Sequence, residues 1–299
     1  MSRTAVLLAR DQASKLYRSI DTGPRKDSIA LNELQRDSPQ EDTKTALSQG
    51  KMLVEVAADH LTAFAKTTQR PFETIAPWTC VRSAIESSAL GFWLMDPHIG
   101  GKARMVRGLL FRHEGLRQEV TFLRNEGMHE EANKARERIN SVESQLRSFA
   151  DPDLARRLKR SKRGGKSRLM PSVTDIVGVI PGKNQTYRLL SGIAHAHFWA
   201  LNRQSFDAIK SEQVGGESRK DTSDWTEVLL TKRISAKSVE YLSCELLDSF
   251  LALLWNTFTL YGWETDRLVL IFDQSYERMG VGPSVGFYVP SKWGKTSER

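Results

Sequence analysis

Apolar residues recur every three or four positions along most of the chain, the spacing of one face of an α-helix. Leu53, Val56, Ala57, Leu61 and Phe64 mark such a face over residues 47–69, and Pro71 ends it. Trp78, Val81, Ile85, Ala89 and Phe92 mark a second, which opens near Pro77 and stops at Leu94, before Asp96-Pro97. Residues 4–20 predict a first helix, whereas the polar, turn-rich residues 21–46 read as a loose connection. Gly100-Gly101 precede a long charged helical stretch, 102–149, which Gly127 divides. Beyond that glycine, Met128, Ala132, Ala135, Ile139, Val142, Leu146 and Phe149 form a seam that alternates spacings of four and three. Such a seam pairs either with residues 105–124 in an antiparallel hairpin, the reading favoured by the short connection, or with a second subunit.

The β-branched run 172–181 fits a short strand or a helix, and residues 184–201 predict one further helix. Residues 234–262 are apolar on most faces, through Leu242, Leu246, Leu247, Phe250, Leu251, Leu254 and Phe258, and predict the central core helix. There is no βαβ alternation and no internal repeat, so the expected fold is an all-α helical bundle. Its expected parts are an N-terminal helix with the loose connection (1–46), the bundle with its inserted helical hairpin (47–276) and an irregular tail (277–299).

Composition narrows the setting. The chain has 299 residues, 39% hydrophobic and 27% charged, as expected of a globular protein. Cys80 and Cys244 are too few for a disulfide framework or a four-ligand zinc site, and a reducing, cytoplasmic location is expected. The apolar stretch Ala5–Ala9 is shorter than the roughly 7–15-residue core of a signal peptide. Asn256 and two threonines interrupt Phe250–Leu260, so that segment reads as a core helix rather than a membrane span, and no membrane partner is expected.

Charge is unevenly placed. The net charge is +8, and the eight basic residues of Arg156–Arg168 (RRLKRSKRGGKSR) account for all of it, since 36 basic and 36 acidic residues remain without them. Arg156, Arg157, Lys159, Arg160, Lys162, Arg163, Lys166 and Arg168 form either a loop that gathers a polyanion through counterion release or a solvated linker. Gly164-Gly165 make a helix there unfavourable.

Candidate chemistry centres on Tyr187-Arg-Leu-Leu-Ser-Gly-Ile-Ala-His-Ala-His197. At about 100° per residue, Ser191, Gly192, His195 and Trp199 fall within roughly 60° of Arg188, while His197 falls on the opposite, apolar side as a core histidine. The two histidines stand at i and i+2, not the i and i+4 of a helical zinc pair, so neither a metal nor a cofactor is expected. The nearby Gly178-Val-Ile-Pro-Gly-Lys-Asn lacks the spacing and the Ser or Thr of a phosphate-binding loop and reads as a turn. A histidine and an arginine on one face suit metal-independent RNA cleavage: imidazole exchanges protons near neutral pH, and guanidinium holds charge on a phosphoryl group. Arg82 and Glu86, one turn apart, border the stripe that begins at Trp78. They are either a packing ion pair or part of the site, with Glu86 orienting the His195 ring. His60, His98, His113 and His129 read as surface or interhelical residues.

Arg188-x6-His195 resembles the R-x4–6-H motif of HEPN domains, the all-helical bundles of bacterial toxins, abortive-infection proteins and CRISPR-associated ribonucleases. The Tyr187…Leu190-Ser191…His195 pattern, with Trp78-Thr-Cys-Val-Arg82-Ser-Ala-Ile-Glu86 and Phe92-Trp-Leu-Met-Asp-Pro97, also resembles uncharacterised bacterial helical proteins. The resemblance covers residues 47–262. Leu189 follows Arg188 where HEPN proteins usually carry a polar residue. It implies a metal-independent endoribonuclease, a toxin or phage-defence effector, that works on RNA and pairs as a homodimer. Arg188, His195, Glu86 and Arg82 would be catalytic, with Tyr187, Ser191 and Trp199 in support. The alternative is a non-catalytic helical module that binds nucleic acid or protein.

Overall fold

The structure is a computed structural model. It describes residues 2–19, 23–36, 40–71, 73–149, 154, 156, 158, 169–180, 182–204, 206–209, 229–232 and 234–280. The fold is an all-α bundle. In chain order its helices are α1 (Ser2–Ser19), α2 (Ile29–Arg36), α3 (Gln40–Thr67), α4 (Ala76–Leu94), α5 (Gly101–Asn125), α6 (His129–Ser148), α7 (Val173–Val177), α8 (Lys183–Ala194), α9 (Phe198–Gln204), α10 (Ala236–Tyr261) and α11 (Asp266–Met279). Among the described residues the one departure is a two-stranded antiparallel hairpin, β1 (Phe206–Ile209) and β2 (Leu229–Lys232), in which Phe206 pairs with Lys232. No described helix is long and apolar enough to cross a membrane.

Two helices share the centre. α10, expected there from its apolar faces, packs along α4, and α4 also carries α3, α7 and α8 on its other sides. Trp78, Val81, Ile85 and Ala89 are buried on α4, and Leu246, Leu247, Phe250, Leu254 and Phe258 on α10. The Asn256 amide donates to the Phe92 carbonyl at 3.1 Å, which fixes the register of α10 on α4. The segment 21–46 is not a loose connection. Its described residues hold α2 and the opening of α3, and a buried charge pair anchors α2.

That pair is Arg104 on α5 with Glu33 on α2. Arg104 is fully buried. Its Nε and one terminal nitrogen donate to the two Glu33 carboxylate oxygens at 2.7 and 3.2 Å. The other terminal nitrogen donates to the Leu94 carbonyl at 2.7 Å, and the nitrogen shared with Glu33 also meets the carbonyls of Asp96 (3.0 Å) and Ile99 (3.4 Å). The last carbonyls of a helix have no partner within it; here one guanidinium supplies the partner for α4 and pins α2 in the same stroke. Arg107, one turn on, donates to the Trp93 carbonyl at 2.6 Å and lies 5.2 Å over the Trp93 ring.

The stretch 102–149 is an antiparallel hairpin of α5 and α6 within one chain. Leu109, His113, Leu116 and Val120 are buried on α5 and face the seam of Ala132, Ala135, Val142 and Leu146. Met128, the outermost seam position, is exposed. Gly127, at φ +74°, makes the turn. Its N–H meets the Arg124 carbonyl and the Met128 N–H meets the Leu123 carbonyl, a Schellman end that an L side chain would strain. His113 lies between the helices, with its Nε2 3.5 Å from a Glu143 carboxylate oxygen. Burial pushes the His113 imidazole below its ordinary value near 6.5, and Glu143 only partly opposes this.

Two outcomes test these contacts. Arg104→Met leaves Glu33 buried without its counter-charge, and urea denaturation is expected to show a loss of about 3–5 kcal/mol; a loss under about 1 kcal/mol would mean that Glu33 reaches water. Because the folded chain favours neutral His113, its stability contribution is complete above pH 6.5 and declines as pH falls below that value. Wild-type stability should therefore drop relative to His113→Leu by up to about 1.4 kcal/mol per pH unit between pH 6.5 and the lowered folded value. Parallel profiles would contradict it.

Candidate functional site

The segment that carries the candidate chemistry folds as a helix, a turn and a second short helix. Gly182, at φ +77°, turns the chain into α8, so the phosphate-loop look-alike is a turn as expected. Lys183 opens α8 but points inward. It is buried, and its Nζ donates to Glu245 and Asp248 of α10 at 2.9 Å each. The Tyr276 hydroxyl of α11 donates to the other Asp248 oxygen. Burial works against the Lys183 ammonium, but Asp248 and Glu245 outweigh it and hold its pKa above the usual lysine value. One turn on, Thr186 and the Tyr241 hydroxyl share a hydrogen bond of 2.6 Å. Sequence reasoning missed Lys183, because a lysine beside a loop glycine gives no sign of two carboxylates brought in from residues 245 and 248.

Tyr187 ties the same helix to α4. Its hydroxyl donates to Glu86 at 3.1 Å and accepts from Arg82 at 3.4 Å, and the Arg82 guanidinium lies 5.5 Å from its ring centre. Arg82 and Glu86 also pair directly at 3.2 Å. Burial, then the Glu86 charge, raises the Tyr187 pKa, so the phenol stays protonated as the donor. Of the two readings of Arg82 and Glu86, the geometry matches a packing pair with Tyr187 as its third member. Glu86 bonds to Tyr187, and no described contact joins it to His195.

The single helix expected over 184–201 breaks. α8 ends at Ala194, Ala196 takes φ +54°, and α9 starts at Phe198. The Ala196 N–H meets the Ile193 carbonyl at 3.0 Å and the His197 N–H meets the Gly192 carbonyl at 2.8 Å. This is the hydrogen-bond pattern seen at Gly127, built on an alanine that pays for the left-handed conformation. α9 then folds back over α8 at Gly192, where a Cβ would lie 2.9 Å from Ala200 Cβ and 3.0 Å from the Trp199 ring.

The break rewrites the expected faces. His197, expected in the core, is exposed like His195, and the two rings lie 6.1 Å apart between centres. Arg188 is exposed two turns back along α8, roughly 10 Å in helical rise, and no contact joins it to His195. Ser191 accepts the His195 N–H through its carbonyl at 3.0 Å. Trp199 backs onto Gly192 yet remains 55% exposed, and Phe198 beside it is 72% exposed. The corner of α8 and α9 thus gathers two imidazoles and two aromatic faces, with a guanidinium farther along the same helix. Among the described residues, no three His, Cys, Asp or Glu side chains stand where they could hold a metal ion.

Of the basic segment, Arg156 is helical and exposed. Arg157, Lys159, Arg160, Lys162, Arg163, Lys166 and Arg168 lie outside the described residues. Cys80 and Cys244 are both half-buried free thiols, and burial pushes the Cys244 pKa up to about 11.

Ala196→Gly should relieve the strain at the corner and raise stability by about 1 kcal/mol; a destabilised variant in thermal or urea melts would contradict the left-handed turn.

No protein-family model, no curated protein and no solved structure matches the chain.

Proposed function

We propose that the α8–α9 corner is a metal-independent RNA-cleaving site of the HEPN kind. The observation that carries this reading is the pair of exposed imidazoles, His195 and His197, 6.1 Å apart on a hydrogen-bonded turn. Two such rings on one phosphodiester supply both proton transfers that ribose-assisted cleavage needs. One takes the proton of the 2′-hydroxyl as that oxygen bonds to phosphorus. The P–O5′ bond breaks, and the other ring gives its proton to the departing 5′ oxygen. The products are a 2′,3′-cyclic phosphate and a 5′-hydroxyl. Arg188 steadies the negative phosphoryl oxygens, either from the same helix or from a second copy of the chain. Trp199 and Phe198 offer faces on which unpaired bases stack, which favours single-stranded RNA over duplex. Within this reading the basic segment 156–168 gathers RNA electrostatically, and the protein works in the cytoplasm as a toxin or phage-defence effector.

The second reading is a binding module without cleavage. It is favoured by the engagement of Arg82 and Glu86 with Tyr187, which leaves the histidines without a described carboxylate partner.

Incubation of the protein with single-stranded RNA in EDTA separates the two. Cleavage to cyclic-phosphate ends that falls at least about a hundredfold in His195→Ala and in His197→Ala is expected. Stoichiometric RNA binding without cleavage, weakened by Trp199→Ala, would select the binding module. Cleavage equal in wild type and both histidine variants would overturn the assignment.

A further inference from the structure

A second polar site lies away from this corner, along the α5–α6 hairpin. A cavity of about 390 Å³ opens between the two helices. That volume falls within the range of small-ligand pockets. His113, Arg117 and Arg124 line it from α5 at intervals of four and seven residues, and Arg136 and Asn140 line it from α6 at an interval of four. Such intervals put each set on one helix face.

Two features mark it as a place for an anion. Three guanidiniums face one carboxylate, Glu143, and a Glu143 oxygen is already held by Arg147 at 2.9 Å. The Arg124 and Arg136 side chains make no hydrogen bond or ion pair among the described residues, whereas Arg117 leans on Glu114 at 3.2 Å. At the back of the cavity, His113 is 2% exposed and its Nε2 has no hydrogen-bond partner. Glu143, at 3.5 Å, stands within ion-pair range but outside hydrogen-bond geometry. That nitrogen is closed off from solvent and lies nearest Glu143, so His113 backs the cavity without reaching into it.

We propose that this groove binds a phosphate group, with the forks of Arg117, Arg124 and Arg136 on its oxygens. Arginine suits this ligand because its planar donors match two oxygens of one phosphate at once. The phosphate belongs either to a small phosphorylated compound or to the backbone of a nucleic acid. The site stands independently of the histidine corner, since it shares no residue with it.

The test is calorimetric titration of the full chain, at fixed ionic strength, with inorganic pyrophosphate and separately with a ten-nucleotide oligothymidylate. Each titration is repeated on the Arg124→Gln/Arg136→Gln double variant and on Arg188→Gln. Both substituted arginines of the double variant are exposed, so the fold is retained, and a thermal melt checks it. The expected result is binding of at least one probe that weakens about tenfold or more in the double variant and persists in Arg188→Gln. Binding of pyrophosphate alone assigns a small phosphorylated ligand, and binding of the oligomer, displaced by pyrophosphate, assigns a nucleic-acid backbone. Binding of neither probe, or binding that the double variant leaves unchanged, overturns the proposal.

Discussion

The buried guanidinium of Arg104 is the constraint on which the rest of the bundle is arranged. Taking a charge out of water is costly, and only full hydrogen bonding makes it tolerable. Arg104 meets that condition with Glu33 and three carbonyls, all drawn from three different parts of the chain. It therefore works less as a source of stability than as a specification. With Glu33 bound, α2 has one place to sit. With the Leu94 carbonyl bound, α4 has one place to end and α5 one angle at which to leave. Apolar contacts alone would accept sliding of α4 against its neighbours; five directed bonds do not.

From a fixed α4 the position of α8 follows. Tyr187 reaches Glu86 and Arg82 on α4, and Lys183 reaches Glu245 and Asp248 on α10. These contacts hold the first two turns of α8 and leave its C-terminal end to the turn at Ala196. That division separates packed side chains from exposed ones along one helix. Lys183 and Tyr187 near its start are used up in packing, while His195, His197, Phe198 and Trp199 at and beyond its end remain open to solvent. Polar groups that a fold has left unpaired at a rigid position are the ones available to a substrate.

The helices were legible in the sequence because a buried face must repeat with the helical period. The stripe from Trp78 to Phe92 on α4 and the seam from Ala132 to Leu146 on α6 both pack as their spacing requires. The antiparallel hairpin followed from Gly127, whose residue type announces a left-handed turn. The break after α8 was not legible for the complementary reason: Ala196 looks like any helix former, and a continuous helix put His197 in the core. Only the packing of α9 onto Gly192 overrides that propensity. Order in residues 29–36 was hidden for a different reason, since the helix spans only eight residues and Glu33 is held by a residue 71 positions away. Charge pairs formed across such distances leave no local trace, so nothing beside Lys183 or Arg104 in the sequence shows the carboxylates that the fold brings to them.

The central claim is that nucleic acid is handled at the corner where α8 meets α9. Proton NMR of the histidine rings and tryptophan indoles tests it most directly, during titration with a single-stranded RNA in which 2′-deoxy sugars prevent cleavage. The account predicts that the His195, His197 and Trp199 resonances shift together along one saturation curve. Unmoved resonances at all three, with the oligomer nonetheless bound, would contradict it.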